Sequence, residues 1–408
     1  MGIFSDQQGE NMGWLGIDDT DHINGGCTTH TLYQLISNLP PQFTYQNPRL
    51  VRLWPFAAQR TRGNAAVAIE IITNDNEKEL IEFLDNWWVE KILPLKDTIS
   101  TSKDYERKQY PTDPGMVWFN HQPNDDFYWS AVSRKVTKEE ITEPDFSWGG
   151  HGIIGASAAV AWHGLKHTFE AISWRTSKAI TDNKKREIDM VALDLVDNDP
   201  DTFMSRDIRS NNILIAPRGN CPVLFGLRAK TISAAEKNCQ ILLNATNTEP
   251  TEGYIVFRTN QATDDHLVND KTAIVTSTNI LKRGTVVIET RQHGKLLAFA
   301  ESGSIKLLAQ WLKKGDKIEF NGLKSIDDSI HLERLRVLKA VPKQQRPLCE
   351  DCQVTMKSMG KNQPIRCPKC RRTSEKLWLE IERVPPFNDW VQPPSDARRH
   401  LAKPLDWN

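Results

Sequence analysis

The chain has 408 residues, of which 39% are hydrophobic and 25% charged, and its formal net charge is zero. This composition excludes a largely disordered chain, and no apolar run reaches the ~18 residues that a membrane helix needs. The length predicts three or four domains at ~100–150 residues each.

The N-terminal segment MGIFSDQQGENMG has no basic region followed by an apolar core. It therefore does not resemble a secretory signal, and we expect a cytoplasmic protein without membrane association.

Charge is distributed unevenly along the chain. Residues 273–408 contain 25 Lys and Arg against 15 Asp and Glu, which leaves 27 against 37 for residues 1–272. The difference predicts an acidic body that uses a metal and a basic arm that binds a polyanion. Two solvated faces of opposite charge are the alternative interpretation.

The first 272 residues are predicted to be mixed α and β structure. Strands are expected over MGWLGI, AAVAIEII and GYIVFRTNQAT, and the segments NNILIAPRG and CPVLFGLRA are expected to be paired strands around a turn. Helices are expected over CTTHTLYQLISNL, NEKELIEFLDNWWVEKIL and TISAAEKNCQILL, and another begins in GIIGASAAVAWHGL. The polar, proline-containing stretch from about Lys96 to Asp125 predicts a long loop.

The segment GIDDTDHINGGCTTH combines three carboxylates, two glycines and a threonine: Asp18, Asp19, Asp21, Gly25, Gly26 and Thr28. Carboxylates this close repel one another unless a cation or hydrogen bonds compensate, and Mg²⁺ favours one or two carboxylates plus substrate phosphates. The helix start that follows offers free N–H groups to phosphate. The segment therefore predicts a metal–nucleotide site, in which a threonine hydroxyl could bind Mg²⁺ or accept a phosphoryl group. An Asx-turn with an N-cap is the alternative.

Two further segments predict phosphate contacts. Residues 149–162 contain the pattern G-x-G-x-x-G, whose second and third glycines are Gly152 and Gly155. No apolar strand is expected before it, which excludes a Rossmann fingerprint, and no Lys-Ser/Thr pair follows, which excludes a P-loop. The segment still predicts a glycine loop that opens a helix. Arg60 and Arg62 suit bidentate phosphate contacts, with solvated arginines at a sheet edge as the alternative.

Candidate substrate contacts lie in two later segments. The turn in PRGNCPVLFGLR contributes Cys221 and Arg228, and TNQATDDHL contributes Asp264 and Asp265. The two carboxylates suit a cationic ligand.

Residues 273–341 predict a small β-rich unit. Five strand candidates are present, with the amphipathic helix SGSIKLLAQWLKKG between the third and the fourth. This order is that of an OB-fold, which commonly binds single-stranded nucleic acid. An SH3-like barrel or a purely structural module is the alternative.

The spacing C-x2-C-x14-C-x2-C predicts a zinc ribbon with Cys349, Cys352, Cys367 and Cys370 as ligands. Four protein ligands leave no position for a catalytic water, so the predicted Zn²⁺ is structural; a redox C-x-x-C pair is the alternative. The surrounding lysines and arginines suit a phosphate backbone or compensate the negative thiolates.

Taken in chain order, these motifs resemble those of the archaeal agmatidine synthetases, the TiaS family. The resemblance rests on GIDDTD and GGCTT, PRLVRL, RTRGNAAV, GIIGASAAV, CPVLFGLR, TNQATDDHL, PPSDARRHLAKPL, the predicted barrel and the four cysteines. The chain departs from the family pattern at His22, where a small Ser is common, in its first ten residues and around 96–148.

The resemblance implies a multidomain α+β fold. Its parts would be a kinase-like α/β domain at 11–145, a ferredoxin-like domain at 146–272, an OB-fold β-barrel at 273–342, a zinc ribbon at 343–383 and a C-terminal tail at 384–408.

The resemblance also implies a reaction. ATP would phosphorylate the 2-oxo group of the wobble cytosine in an isoleucine tRNA with a CAU anticodon, and the amine of agmatine would displace the phosphate. Asp18, Asp19 and Asp21 would hold Mg²⁺ on ATP, Thr28 matches a threonine that becomes phosphorylated, and the OB-fold and ribbon would grip the tRNA. No obligatory protein partner is inferred. The alternatives are a non-catalytic RNA-binding protein and a related ATP-dependent enzyme that uses another amine.

Overall fold

The computed structural model describes residues 12–22, 26–60, 63–98, 110–182, 184–207, 210–217, 221–375 and 378–407. Gly25 and Arg62, two of the predicted phosphate contacts, lie outside these ranges. The chain divides into two compact units. The first comprises Met1–Val268 and Arg398–Asn408, and the second comprises Asn269–Ala397.

A nine-stranded sheet forms the centre of the first unit. Its strands are β1 Met12–Asp18, β2 Thr44–Arg52, β3 Ala65–Ile72, β4 Gly115–Phe119, β5 Phe146–Gly149, β6 Thr168–Arg175, β7 Thr202–Phe203, β8 Val223–Ala229 and β9 Thr251–Thr259. They lie in the order β5-β4-β1-β3-β2-β9-β6-β8-β7. Neighbours are antiparallel except β2 and β9, whose parallel pairing joins the two halves of the sheet.

Seven helices belong to the described part of this unit. They are α1 Thr28–Ser37, α2 Glu77–Trp87, α3 Asp126–Ser133, α4 Ile153–Ala161, α5 Ser177–Thr181, α6 Met190–Asp197 and α7 Ile232–Leu243. A π-helical turn, Trp88–Ile92, and a 3-10 turn, Leu93–Leu95, extend α2, and another 3-10 turn spans Lys138–Glu140.

Both faces of the sheet are covered around β1, which explains why that strand is apolar at nearly every position. Leu15 and Ile17 pack in one core with residues of α1 and α2. Trp14, whose side chain points to the opposite face, packs with residues of α3 and α4. The end of β1 therefore emerges from a rigid, doubly covered layer.

Most elements predicted for this unit are confirmed, but two predictions are wrong. The expected loop 96–125 contains β4, a strand of only five residues that is buried throughout and pairs with β1 and β5. Its short, continuously apolar sequence has no alternation that would reveal a strand. The expected strand NNILIAPRG forms only an isolated bridge at Ile213 in its described part, and β8 pairs instead with β6 and β7.

The second unit contains a closed five-stranded barrel, as the sequence predicts. Its elements are β10 Lys271–Ile280, β11 Val286–Thr290, β12 Gly294–Ala298, α8 Ser304–Trp311, β13 Lys317–Lys324 and β14 Ile330–Lys339. The barrel order is β10-β11-β12-β14-β13, and the parallel pair of β12 and β14 closes it. Ile305 and Leu308 of α8 are buried in the barrel core.

Short strands complete the second unit. They are β15 Lys343–Gln345, β16 Lys357–Ser358, β17 Ile365–Arg366, β18 Thr373–Ser374 and β19 Leu379–Ile381. Strands β15 and β19 pair with each other. In the sequence they flank the three-stranded sheet β16-β17-β18, which carries the cysteine cluster. No helix among the described residues is long and apolar enough to cross a membrane.

Candidate active site

Helix α4 lies directly on the ends of β1 and β4 because glycines remove the side chains between them. A Cβ on Gly115 would lie 1.9 Å from the backbone nitrogen of Ile153. A Cβ on Gly155 would lie 1.9 Å from Oδ2 of Asp18, and one on Gly152 would lie 2.6 Å from the backbone oxygen of Asp18. The predicted glycine loop and the predicted acidic segment, far apart in sequence, are therefore in contact.

Hydrogen bonds fix the acidic segment to the glycine loop. Oδ1 of Asp18 accepts the backbone N–H of Asp19 at 2.7 Å, and Oδ2 of Asp19 accepts that of Asp113 at 2.9 Å. Oδ2 of Asp113 in turn accepts the backbone N–H of His151 at 2.6 Å. Asp19 adopts a left-handed conformation with φ of 57°, which turns the chain sharply after β1.

Asp113 is a carboxylate that sequence reasoning missed, because it lies in the segment interpreted as a loop. Its Oδ1 is buried and has no hydrogen-bond partner within the described residues, although the ammonium of Lys96 lies 3.9 Å away. Such an oxygen can bind a cation. The tripeptide Asp-Pro-Gly just before β4, a sequence typical of turns, was a weak signal at this position.

Burial and mutual repulsion raise the pKa values of Asp18 and Asp19. Burial, reinforced by the charge of Asp19, raises the pKa of Asp18 well above its usual value. Burial also raises the pKa of Asp19 to about 7; the charges of Asp21 and Asp113 add to this increase, and the N–H bond from Asp113 opposes it. A bound cation would relieve this repulsion.

The acids do not form a closed metal cage. Among the described residues, only the four cysteines bring three or more potential ligand atoms together. This arrangement fits a cation that arrives with phosphate oxygens as further ligands, which is how Mg²⁺ is commonly held.

Asp18, Asp19 and Asp113 line a cavity of about 560 Å³, which we call the carboxylate cavity. This volume lies in the ~300–1,000 Å³ range of small-molecule sites. Gly155 and several basic residues also line it: Arg60, Arg134, Lys135, Lys138 and His151. A lining that contains both carboxylates and basic side chains suits a metal-bound polyphosphate.

Asp21 and Thr28 line a second cavity of about 440 Å³, which we call the threonine cavity. The backbone N–H of Thr28 donates to Oδ1 of Asp21 at 3.0 Å. Cys221 and Arg228 line the same cavity, so the structure brings these four predicted residues together. Gly26 lies close to the acidic segment, with its N–H bonded to the backbone oxygen of His22 at 3.3 Å.

A buried polar network lies at the threonine cavity. Nε of Arg228 donates to Oε1 of Gln261 at 2.9 Å, and Nδ1 of His400 lies 3.1 Å from the same oxygen. Gln261 also donates to Glu170, whose carboxylate lies 3.4 Å from Arg52. Burial, together with the positive charges of Arg52 and Arg228, holds the pKa of His400 well below its usual value, so its imidazole is neutral at physiological pH.

Glu170, Gln261 and His400 were not predicted as site residues. Gln261 and His400 do lie in two of the motifs that carry the family resemblance, TNQATDDHL and PPSDARRHLAKPL. Glu170 lies on β6, a strand that no sequence pattern predicted.

Asp264 and Asp265 are placed elsewhere. Oδ1 of Asp264 accepts the backbone N–H of Lys403 at 2.7 Å, and Oδ2 of Asp265 accepts the hydroxyl of Tyr128 at 2.6 Å. Neither residue is among those that line the carboxylate or the threonine cavity.

The four cysteines of the second unit converge as predicted. Their sulfur atoms all lie within 4.8 Å of one another. The sulfur of Cys367 accepts backbone N–H groups from Lys369 at 3.3 Å and from Cys370 at 3.4 Å, which suits a thiolate ligand. Four convergent thiolates fit structural Zn²⁺.

Comparison with known proteins gives a consistent assignment. Three domain models match: the TiaS TCKD domain at 14–144, the TiaS FLD domain at 150–266 and the TiaS C-terminal zinc ribbon domain at 346–384. The chain is 30% identical to TiaS of Methanocaldococcus jannaschii, the 2-agmatinylcytidine synthetase of an isoleucine tRNA, over 97% of this chain and 98% of the relative.

Solved structures agree along almost the whole length. A complex of TiaS with its isoleucine tRNA and ATP matches with a TM-score of 0.78 and 27% identity, over 97% of both chains. A complex of TiaS with the same tRNA, AMPCPP and agmatine matches with a TM-score of 0.76 and 25% identity, again over 97% of both chains. The match in domains, sequence and structure shows that the chain belongs to the TiaS family.

Proposed function

We propose that this chain is an ATP-dependent ligase that converts the wobble cytidine of an isoleucine tRNA to agmatidine. The observation that carries this function is nearly full-length similarity to synthetases with that activity and to TiaS structures with tRNA, an ATP analogue and agmatine. A non-catalytic RNA-binding protein would not need the buried, mutually repelling carboxylates that line the carboxylate cavity.

The family domains give names to the parts of the fold. We propose a kinase-like domain at 11–145 and a ferredoxin-like domain at 146–272 in the first unit, followed by an OB-fold at 273–342, a zinc ribbon at 343–383 and a tail at 384–408. The barrel supports the OB assignment because its helix follows the third strand.

The carboxylate cavity is the proposed ATP site. Asp18 and Asp19 would hold Mg²⁺ there, which would neutralise the phosphates and bring them into line with the acceptor. Arg60 supplies further positive charge, and Gly155 lines the cavity in the first turn of α4. Gly152 remains a proposed phosphate contact from the sequence. Gly25, Gly26 and Arg62 remain proposed phosphate contacts from the sequence.

The threonine cavity is the proposed place of cytosine and agmatine. Thr28, at the start of α1, is the proposed phosphoryl acceptor, and Asp21 lies beside it to hold a proton. One phosphoryl group of ATP would pass to Thr28 and a second to the cytosine 2-oxo oxygen, so that ATP ends as AMP and this oxygen can leave as phosphate. The amine nitrogen then bonds to C2, the C–O bond breaks, phosphate leaves and the amine gives up a proton.

The charged residues of the threonine cavity suit both proposed ligands, cytosine and agmatine. Arg228 and Cys221 are proposed to contact the base, and Glu170 and Asp21 are the carboxylates that line the cavity for cationic agmatine. Asp264 and Asp265, the sequence-based candidates for agmatine, line neither the threonine cavity nor the carboxylate cavity. We therefore favour Glu170 as the agmatine contact.

The test is to incubate the protein with ATP, Mg²⁺, agmatine and total tRNA, and to measure modified nucleosides by mass spectrometry. We expect agmatidine in the isoleucine tRNA only when all components are present. ATP consumption with another amine would support a related enzyme, and no ATP consumption would support an RNA-binding protein; either result contradicts the proposal.

A further inference from the structure

A third cavity of the first unit is basic, although residues 1–272 are acidic overall. It has a volume of about 620 Å³, and we call it the lysine cavity. Lys166, Lys230 and Lys403 line it together with Trp407, and Asp406 is the single acid among its described lining residues. Three positive charges beside an indole ring are the combination that single-stranded nucleic acid prefers, since phosphates pair with the cations and bases stack on the ring.

The C-terminal segment that lines this cavity is held rigidly. The backbone N–H of Ala262 donates to the oxygen of His400 at 2.8 Å, and that of Asp264 donates to the oxygen of Leu401 at 2.8 Å. These bonds attach the segment to the loop after β9. Asp264 also accepts the N–H of Lys403, which gives this carboxylate a positioning role.

Trp407 is held in place from two sides. Its ring packs edge-on against Phe203, with centroids 4.7 Å apart. The ammonium of Lys230 lies 5.1 Å from the centroid of the indole and donates to the backbone oxygen of Pro200 at 2.8 Å. The cation and the ring are therefore pre-organised, so a ligand would bind without the cost of ordering them.

Gln261 connects the lysine cavity with the threonine cavity. Its backbone oxygen accepts the hydroxyl of Thr168, which lines the lysine cavity, at 2.9 Å. Its side chain bonds to Arg228, which lines the threonine cavity. Gln261 thus bonds to one residue that lines the proposed base site and to one residue that lines the lysine cavity.

We propose that the lysine cavity binds a phosphodiester of the tRNA strand next to the nucleotide whose base enters the threonine cavity. This inference rests on the proposed function, because it takes the threonine cavity as the place of the reacting base. It assigns RNA binding to the acidic first unit, whereas sequence reasoning assigned it only to the basic second half of the chain. Leu165, 86% exposed beside Lys166, offers an apolar contact to a neighbouring base.

The test measures tRNA affinity as a function of salt, without ATP or agmatine, for Lys166→Gln and Lys230→Gln. Each variant removes one phosphate contact, so we expect the slope of log K against log salt to become less negative by about 0.7. At ~0.15 M salt this corresponds to about fourfold weaker binding. Lys78→Gln is the matched control, because Lys78 is exposed on α2 and lines none of the three cavities.

Further titrations distinguish a phosphate of the tRNA from a phosphate of ATP or free phosphate. ATP and inorganic phosphate are titrated separately, and we expect equal affinities in the wild type and both variants. If both variants kept the wild-type tRNA affinity and salt slope, the inference would be overturned, whereas agmatidine formation by the wild type would still support the proposed function. A loss of ATP binding with unchanged tRNA binding would also overturn the inference.

Discussion

Asp19 is the residue at which the backbone turn, the carboxylate contacts and the electrostatic repulsion coincide. Asn can keep the left-handed conformation and the bond from Asp113 but removes the charge. We expect Asp19→Asn to lower the rate of agmatine incorporation by about 100-fold or more and to leave tRNA affinity within a few-fold. Steady-state kinetics and tRNA binding measure the two effects.

Asp264→Asn is the matched control for that substitution. Asp264 is also left-handed, with φ of 64°, but lines neither the carboxylate nor the threonine cavity. We expect near wild-type turnover. Unchanged turnover in Asp19→Asn would reject the metal assignment, and a selective rise of the agmatine KM in Asp264→Asn would restore that residue as an agmatine contact.

The raised pKa of Asp19 also predicts how pH affects the metal-free protein. Folding raises the pKa from 3.8 to about 7, so the folded state binds the proton more tightly than the unfolded state. The resulting stabilisation is complete below about pH 4 and is lost as pH rises through 7. Mg²⁺ should therefore raise the thermal unfolding midpoint more at pH 8 than at pH 5.

Differential scanning fluorimetry with and without Mg²⁺ at both pH values tests this expectation. Asp19→Asn should show a smaller pH dependence of the Mg²⁺ effect. An equal Mg²⁺ effect at both pH values in the wild type would contradict a site at these carboxylates.

Thr28 gives a separate test of phosphoryl transfer. Thr28→Val keeps the shape of the side chain but removes the hydroxyl, so we expect the protein to lose any label from γ-³²P-ATP. Thr29→Val is the control, because Thr29 lines the same threonine cavity one residue later. A label that persists in Thr28→Val and disappears in Thr29→Val would reassign the acceptor.

Sequence reasoning identified the residues of the site that are clustered locally and missed those that are brought together by folding. Asp18, Asp19 and Asp21 stand within four positions and are visible as a charge cluster. Asp113 and Glu170 are single acids in segments without a recognisable pattern. Only the sheet, which places β4 beside β1 and β6 beside β8, shows that they face the two cavities.

At the scale of elements, helix α4 is positioned from both ends. Its start rests on Asp18 through Gly155, and the carbonyls of Val160 and Trp162 at its end accept hydrogen bonds from the buried guanidinium of Arg49 at 3.2 and 2.6 Å. The helix was predictable from its composition. Its contact with β1 was not, because this contact depends on β4, a strand hidden in a segment that resembles a loop.

Gly155→Ala tests this contact. In most helices this substitution stabilises the protein by ~0.4–1 kcal/mol, but here the new Cβ would collide with the Asp18 carboxylate. We expect lower stability and a KM for ATP raised about tenfold or more, as a displacement of ~1 Å at a reacting site can cost 100-fold. Thermal unfolding and ATP-dependent kinetics measure these effects.

Ser157→Ala is the control within the same helix. The hydroxyl of Ser157 is buried and has no hydrogen-bond partner within the described part of the chain, so its removal should be neutral or stabilising. If Gly155→Ala were as stable and active as Ser157→Ala, the contact between α4 and Asp18 would have no role in ATP binding.

At the scale of the whole molecule, the proposed nucleotide site and the predicted zinc site lie in different units. All residues that line the carboxylate cavity belong to the first unit, and the four zinc ligands belong to the second. Because the proposed role of the ribbon is to hold the tRNA, loss of Zn²⁺ should weaken RNA binding and leave nucleotide binding unchanged. The core of the ribbon is too small to fold without a metal. It consists of Cys349, Met356, Ile365 and Cys367, with Cys352 and Val354 packed against them.

Cys370→Ser tests this division without chelators, which would also remove Mg²⁺. We expect less than one equivalent of bound zinc, at least tenfold weaker tRNA binding, and unchanged affinity for ATP in equilibrium dialysis. Cys239→Ser is the control, because Cys239 is a buried cysteine of α7 that is remote in sequence from the zinc ligands; it should cost stability but keep the zinc content. Wild-type tRNA affinity in a zinc-free Cys370→Ser protein would show that the ribbon does not hold the RNA, and the lysine cavity and the barrel would then have to supply that grip.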